Sequence, residues 1–152
     1  MLWEEPQERA FRALKEHLAK RPILHLPDFS RKFILQCDAS ETGIGAALVQ
    51  EYDDGKFPVE YASKKLLPRE RNYSVIEKEC YALVWAVKKF SAYLYGREFE
   101  VETDHHPLMY LNRAKLENSR LMRWALCLQS FSFKIRAIKG SENVAADYLS
   151  RV

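Results

Sequence analysis

Four acidic positions in this chain fall where a fold can gather them: Asp38, Asp104, Asp147 and one of the pair Glu77 and Glu79. Asp38 ends a run, Phe33 to Asp38, that alternates apolar and polar side chains, and small residues follow it at Ala39, Ser40, Thr42, Gly43 and Gly45. Such residues let a second backbone or a ligand approach closely. Taken alone, Asp38 reads first as an ordinary turn aspartate. The other acids change that reading. Asp104 also ends an alternating run, Glu77 and Glu79 lie inside a long helical stripe, and Asp147 sits on a short apolar helix near the end of the sequence. Carboxylates drawn together from distant parts of a chain repel one another, and a bound cation relieves the repulsion. An oxygen-only donor set favours Mg²⁺ or Mn²⁺ over zinc. Two such ions, about 3.5–4 Å apart, suit phosphodiester hydrolysis. On spacing alone, Glu77 and Glu79 are equally eligible.

The elements that must carry these acids can be read from periodicity. Residues 4–20 show an apolar stripe at Ala10, Phe11, Leu14 and Leu18, and Arg21-Pro22 ends it, so an N-terminal helix is expected. Three strands follow, over 32–38, 43–52 and 56–63. Asp53-Asp54-Gly55 joins the second and third as a tight hairpin. Pro58 marks the third as an edge strand. A long helix is expected over 72–95, with Tyr73, Ile76, Cys80, Leu83, Val87 and Leu94 on one stripe and Gly96 as its stop. The fourth strand, 98–104, returns after that helix and is expected beside the first strand, in parallel. Asp104 would then neighbour Asp38. A short helix from 104 to 111, a helix over 119–130, a strand over 131–138, a loop at 139–143 and a helix over 144–151 complete the order βββαβααβα. The fold class is α/β: a five-stranded mixed sheet flanked by helices, with an extra helix at the N-terminus.

Composition narrows the function classes. The net charge is only +3, with 47% hydrophobic and 30% charged residues, as in an ordinary globular domain. The charge is segregated, however. Lys64, Lys65, Arg69 and Arg71 cluster, as do Arg113, Lys115, Arg120 and Arg123, while Glu98, Glu100, Glu102 and Asp104 form an acidic row. A basic face beside an acidic pocket suits a nucleic-acid substrate. Cys37, Cys80 and Cys127 form no CxxC pair and share no zinc spacing with the histidines, so they read as free thiols of a reducing compartment. No membrane span or signal peptide is expected, and the setting is intracellular: cytoplasm, virus-like particle or nucleus.

An ordered series of motifs then strongly resembles the ribonuclease H domain of gypsy-type LTR retrotransposon reverse transcriptases. The series is Asp38-Ala39-Ser40 with Gly43 and Gly45-Ala46; Asn72-Tyr73, Glu77-Lys78-Glu79 and Ala82; Tyr93-Leu94 and Gly96; Thr103-Asp104-His105; Arg123-Trp124; and Lys139-Gly140, Asn143, Ala146-Asp147 and Leu149-Ser150-Arg151. The resemblance covers residues 30–152 and implies a ribonuclease H-like fold. It also implies an endonuclease that cuts the RNA strand of an RNA–DNA hybrid with two Mg²⁺ ions, Mn²⁺ being a possible substitute. The family's four metal-binding acids carry over onto Asp38, Glu79, Asp104 and Asp147. The family pattern Glu-x-x-Ala selects Glu79, since Ala82 follows it, and leaves Glu77 as a supporting acid. Residues 1–30 look like the tail of the preceding polymerase or connection region, so residues 31–152 form the ribonuclease H domain and the chain is expected to be a polyprotein fragment. Its partners would be the hybrid and the polymerase region.

Hybrid contacts are expected at Lys64, Arg69, Arg120 and Arg123 for phosphates, and at Ser40, Asn72 and Ser74 for the backbone or a 2′-hydroxyl. Tyr81, Trp85, Phe90 and Trp124 are expected to pack the core. The sequence departs from the wider family twice. Where cellular and retroviral relatives carry a mobile histidine before Lys139-Gly140, it has Ile138, and His105 is better read as a supporting or helix-start residue. The stretch between Asp104 and Asp147 also leaves no room for an extra basic helix, which implies weak binding by the domain alone. Two other readings share the fold: a catalytically silent, domesticated binding or connection module, and an integrase- or transposase-type nuclease. The latter typically ends its acid set with a glutamate, and here the last acid is Asp147.

Overall fold

The computed structural model describes residues 24–103 and 107–137. The expected N-terminal helix over 4–20, Asp104, His105 and His106, Ile138, the loop at 139–143 and the helix carrying Asp147 lie outside the described residues.

Alternating side chains build β1 (Phe33–Ala39), β2 (Gly43–Tyr52) and β3 (Gly55–Lys65) as an antiparallel meander. The hairpin between β2 and β3 closes tightly, with Tyr52 paired to Gly55 and the glycine at φ +135°. A short α1 (Pro68–Arg71) leads into α2 (Val75–Lys89), and α3 (Ser91–Leu94) follows. Then come β4 (Glu98–Thr103), α4 (Pro107–Ala114), α5 (Ser119–Gln129) and β5 (Ser132–Ala137). The strand order is β3-β2-β1-β4-β5, with β1 parallel to β4 and β4 parallel to β5. The mixed five-stranded sheet and its flanking helices are therefore as expected. β3 is the edge strand that Pro58 predicts, and the register slips there, with Leu48 opposite Glu60 and Val49 opposite Pro58.

The single long helix expected over 72–95 is instead two helices, α2 and α3, with the separate short α1 ending just before it. Asn72 caps the end of α1, Ser74 caps the start of α2, and Phe90 interrupts the run before α3. The cause is local: the Ser74 hydroxyl accepts the Glu77 amide (3.2 Å), and the Glu77 carboxylate accepts the Ser74 amide (3.0 Å). This reciprocal cap starts a helix and excludes one already running. Gly96, at φ +78°, stops the helical stretch as expected.

The main core lies between the sheet and the helices. Phe33, Leu35 and Cys37 of β1 share it with Cys80, Leu83, Val84 and Val87 of α2 and with Leu121, Trp124 and Leu128 of α5. Ile34, Ala47 and Val49 form a smaller cluster on the opposite face of the sheet. The chain entering β1 is strapped down. The His25 amide donates to the Pro58 carbonyl (2.8 Å), and the His25 ring packs on Phe57 at 4.3 Å. The fully buried Gln50 side chain accepts the Asp28 amide (2.9 Å) and donates to the carbonyls of Asp28 (2.8 Å) and Arg31 (3.2 Å).

Gln50→Ala strips three backbone groups of that partner. Unsatisfied buried groups cost about 1–3 kcal/mol, so urea unfolding of the variant is expected to show a loss of about that size with an unchanged m value. A loss under about 0.5 kcal/mol, as for an ordinary surface change, would show that the strap is not held through Gln50.

Candidate active site

Asp38 is the penultimate residue of β1, opposite Gly45 of β2, and is 5% exposed. Gly45 opposite brings no side chain against it. The Asp38 Oδ1 accepts the Ala39 amide at 2.9 Å. Glu79 lies in α2 and is 4% exposed. It precedes Ala82, which is fully buried with Ile44 and Leu66 beside the end of β1. α2 packs on β1, so the fold carries Glu79 on the element that covers the strand bearing Asp38. The parallel register pairs Gln36 with Glu102, which places the C-terminal ends of β1 and β4 at the same end of the sheet. Asp104, next in sequence after Thr103, and Asp147 are outside the described residues.

Among the described residues no cluster of three or more His, Cys, Asp or Glu is assembled to hold a metal ion. The two described candidates are both carboxylates. The nearby Cys80 does not add sulfur to the set: burial pushes its thiol up to about 12, and its Sγ donates to the Pro107 carbonyl (3.5 Å). Carboxylate oxygens favour a hard divalent cation such as Mg²⁺ or Mn²⁺ over zinc.

The expected substrate contacts divide into two groups. Arg69 and Arg123 are exposed, as is Asn72 at the end of α1. The others have structural partners. The Ser40 hydroxyl donates to the Gly43 carbonyl (3.2 Å) and accepts the Gly43 amide (3.1 Å), which closes the β1–β2 turn. Ser74 caps α2. Lys64 donates to the Tyr81 hydroxyl (2.6 Å) and to both oxygens of Glu70 (3.3 and 3.4 Å). Arg120 pairs with Glu77 and lies over the rings of Tyr73 (4.3 Å) and Trp124 (5.5 Å). β3 continues to Lys65, two residues beyond the expected end, and this extension carries Lys64 to Glu70.

The aromatic residues pack together as expected. Tyr81 stacks on Trp124 (5.7 Å, 19°), and Tyr73 meets both rings edge-on. Sequence reasoning missed Glu70 and Glu102. Glu70 is 4% exposed and accepts the Leu67 amide (2.8 Å) at the start of α1. Glu102 is 2% exposed and receives Lys56 from β3 at 2.7 and 3.0 Å. Charge alternation along β4 gave a signal for Glu102, but its cationic partner comes from a strand far away in sequence.

The comparisons with known proteins agree with one another. The family model of the RNase H-like domain found in reverse transcriptase matches residues 28–131. The retrovirus-related Pol polyprotein from transposon 297 of Drosophila melanogaster is 46% identical over 143 residues, which is 94% of this chain and 13% of that polyprotein. The chain thus spans about an eighth of the curated relative. Among solved structures, the foamy viral protease-reverse transcriptase in complex with an RNA/DNA hybrid superposes with a TM-score of 0.66 at 18% identity, over 91% of this chain and 19% of that one. LC11-RNase H1, isolated from compost, superposes with a TM-score of 0.55 at 18% identity, over 78% of this chain and 92% of that one. Both structures share the fold.

The Glu70 network makes a pH prediction. Burial pushes the Glu70 carboxyl up, but the Leu67 amide, the Tyr81 hydroxyl and the Lys64 ammonium outweigh it and hold the group below its ordinary 4.5. A depressed folded value stabilises the fold above 4.5 and is lost as pH falls through the folded value. Glu70→Gln is therefore expected to be less stable at neutral pH. It should also lose less further stability than the wild type between about pH 5 and pH 2, read from urea midpoints. Parallel acid limbs would show that Glu70 titrates as if unfolded.

Proposed function

The chain belongs to the RNase H-like domain family of reverse transcriptases, and from that premise we propose that it is a ribonuclease H, an endonuclease that hydrolyses the RNA strand of an RNA–DNA hybrid within a gypsy-type retroelement polyprotein. The observation that carries the reading is the burial of Asp38 at the end of the central strand and of Glu79 on the helix that covers it. On this reading Asp38 and Glu79, with Asp104 and Asp147, hold two Mg²⁺ ions, and Mn²⁺ can replace them. The ions supply the positive charge that activates water and stabilises the leaving oxygen of a phosphodiester. The protein's own part is placement. The pairing of β1 with β2 fixes Asp38, and α2 fixes Glu79 through its buried stripe.

Exposed Arg69, Arg123 and Asn72 remain open to the hybrid, where cations hold phosphates and polar groups read 2′-hydroxyls. Residues 1–30 are assigned to the end of the preceding polymerase or connection region, and residues 31–152 to the nuclease. The foamy viral relative solved with an RNA/DNA hybrid supports the substrate class. The Pol polyprotein relative supports a polymerase partner. An intracellular setting is part of the same proposal. No described helix is long and apolar enough to cross a membrane.

The test is cleavage of a labelled RNA–DNA hybrid in Mg²⁺ or Mn²⁺, with Asp38→Asn and Asp104→Asn as controls. Outer partners of metal ligands are worth about 10- to 100-fold, so loss of a ligand itself is expected to exceed about 100-fold. RNA-strand cutting that both controls abolish establishes the reading. If no cutting occurs in either metal, even with the polymerase region attached, the domain is a silent binding module.

A further inference from the structure

We propose that Arg120 is a positioning residue for Glu79 and not a contact to the hybrid phosphates; the proposal rests on the ribonuclease H reading above. Glu77 is the third residue of α2 and is engaged on both oxygens. One accepts the Ser74 amide at 3.0 Å, and the other accepts the Arg120 Nη2 donor from α5. The guanidinium also covers Tyr73, just before the cap, and Trp124, one turn along its own helix. Arg120 thus ties α5 to the cap residue's neighbour, to the first turn of α2 and to the core tryptophan that stacks on Tyr81.

Glu79 lies two residues beyond Glu77 on that same first stretch of helix. Any shift of the first turn carries Glu79 with it. A ligand set performs only when held to within about 0.5 Å, and packing and outer hydrogen bonds provide that hold. A surface phosphate contact would look different. Its guanidinium would face solvent with its fork free, whereas here one arm is bound to a carboxylate and the plane rests on two rings. The Arg120 Nε is buried without a hydrogen-bond partner. That donor is the best case for a phosphate contact. Yet a donor sealed from solvent cannot meet a phosphate oxygen until the Glu77 pair and the ring contacts are broken.

The experiment is a double-mutant cycle in the 152-residue chain with Glu77→Gln, Arg120→Met and the pair. Three quantities are read: Mn²⁺ affinity by calorimetry without nucleic acid, hybrid affinity and its salt slope in Ca²⁺, and kcat and KM separately. A positioning role predicts that each single change weakens Mn²⁺ by about tenfold and lowers kcat, with KM and salt slope unchanged. The double variant should be no worse than either single one. A hybrid contact predicts the opposite. Arg120→Met alone would weaken the hybrid and reduce the salt slope by about 1, while Glu77→Gln would leave Mn²⁺ binding alone, and that result overturns the proposal. Should Arg120→Met lose the near-ultraviolet signature of the Trp124 cluster, Glu77→Gln and Arg120→Lys carry the test. Arg120→Lys keeps the charge without the planar stacking and is expected to restore only part of the Mn²⁺ affinity. If the wild type binds Mn²⁺ with this dependence but cuts no hybrid even with the polymerase region attached, the ribonuclease reading falls and the positioning role stands.

Discussion

The packing of α2 against the middle of the sheet is the contact on which the other features depend. β1 is hydrogen-bonded on both edges, and its Phe33, Leu35 and Cys37 share one core with Cys80, Leu83, Val84 and Val87 of the helix. Burying each larger apolar side chain is worth about 1.5–3 kcal/mol. A handful of them therefore matches the net stability of a whole domain, about 5–15 kcal/mol. The helix cannot rotate or slide without giving up that contact. Glu79 sits at the border of the same stripe, so the apolar packing that folds the chain also sets where its carboxylate lies. Asp38 is fixed from the other side, by strand pairing.

Charge is then managed around this frame. Glu70 and Glu102 are nearly buried and Glu77 partly so, and each meets a cation from a different element: Lys64, Lys56 and Arg120. The cost of desolvating such pairs offsets much of their Coulomb attraction, so they add little net stability. Their effect is geometric. They tie β3 to α1, β3 to β4 and α5 to α2, and breaking one partner is far costlier than the pair is worth. Glu100 and Arg136 do the same in a weaker, more exposed form between β4 and β5.

Much of this was legible in the sequence, for reasons that can be named. Period-two alternation survives in any half-buried strand, so β1 to β5 stand within a residue or two of where the pattern puts them. Asp38 was legible as a strand-end acid because a strand end followed by small residues is a local feature, whereas the choice of Glu79 over Glu77 came from the family pattern and not from the stripe. The division of the long helix was not legible from periodicity. The stripe runs through Tyr73 to Leu94 without a break, and only the reciprocal cap of Ser74 and Glu77 shows that α2 begins afresh there. Lys64 and Arg120 were read as phosphate contacts because a basic residue near a basic cluster looks free. The partner of Arg120 lies 43 residues away and is set by the approach of α5, while Glu70 lies only six residues after Lys64 but is brought to it by the turn from β3 into α1, which periodicity does not show. Glu70 was passed over for the same reason.

This division of the cations bears on how the domain would hold a duplex. A cation already paired with a buried carboxylate releases few counterions when nucleic acid arrives. Each phosphate neutralised contributes about −0.9 to the salt slope on a duplex. With Lys64 and Arg120 paired to carboxylates, the charged footprint would fall to residues such as Arg69 and Arg123, and the domain's own grip would be correspondingly modest. A weak module gains most from being tethered, because a second site on the same chain raises its effective concentration to about millimolar. The chain spans 13% of its transposon 297 relative, so a polyprotein offers ample length for such a tether. The Arg120–Glu77 pair also ties the first turn of α2 to α5. If the proposed function holds, Arg120 would steady the acid-bearing helix and attachment to the rest of a polyprotein would supply much of the hold on the substrate.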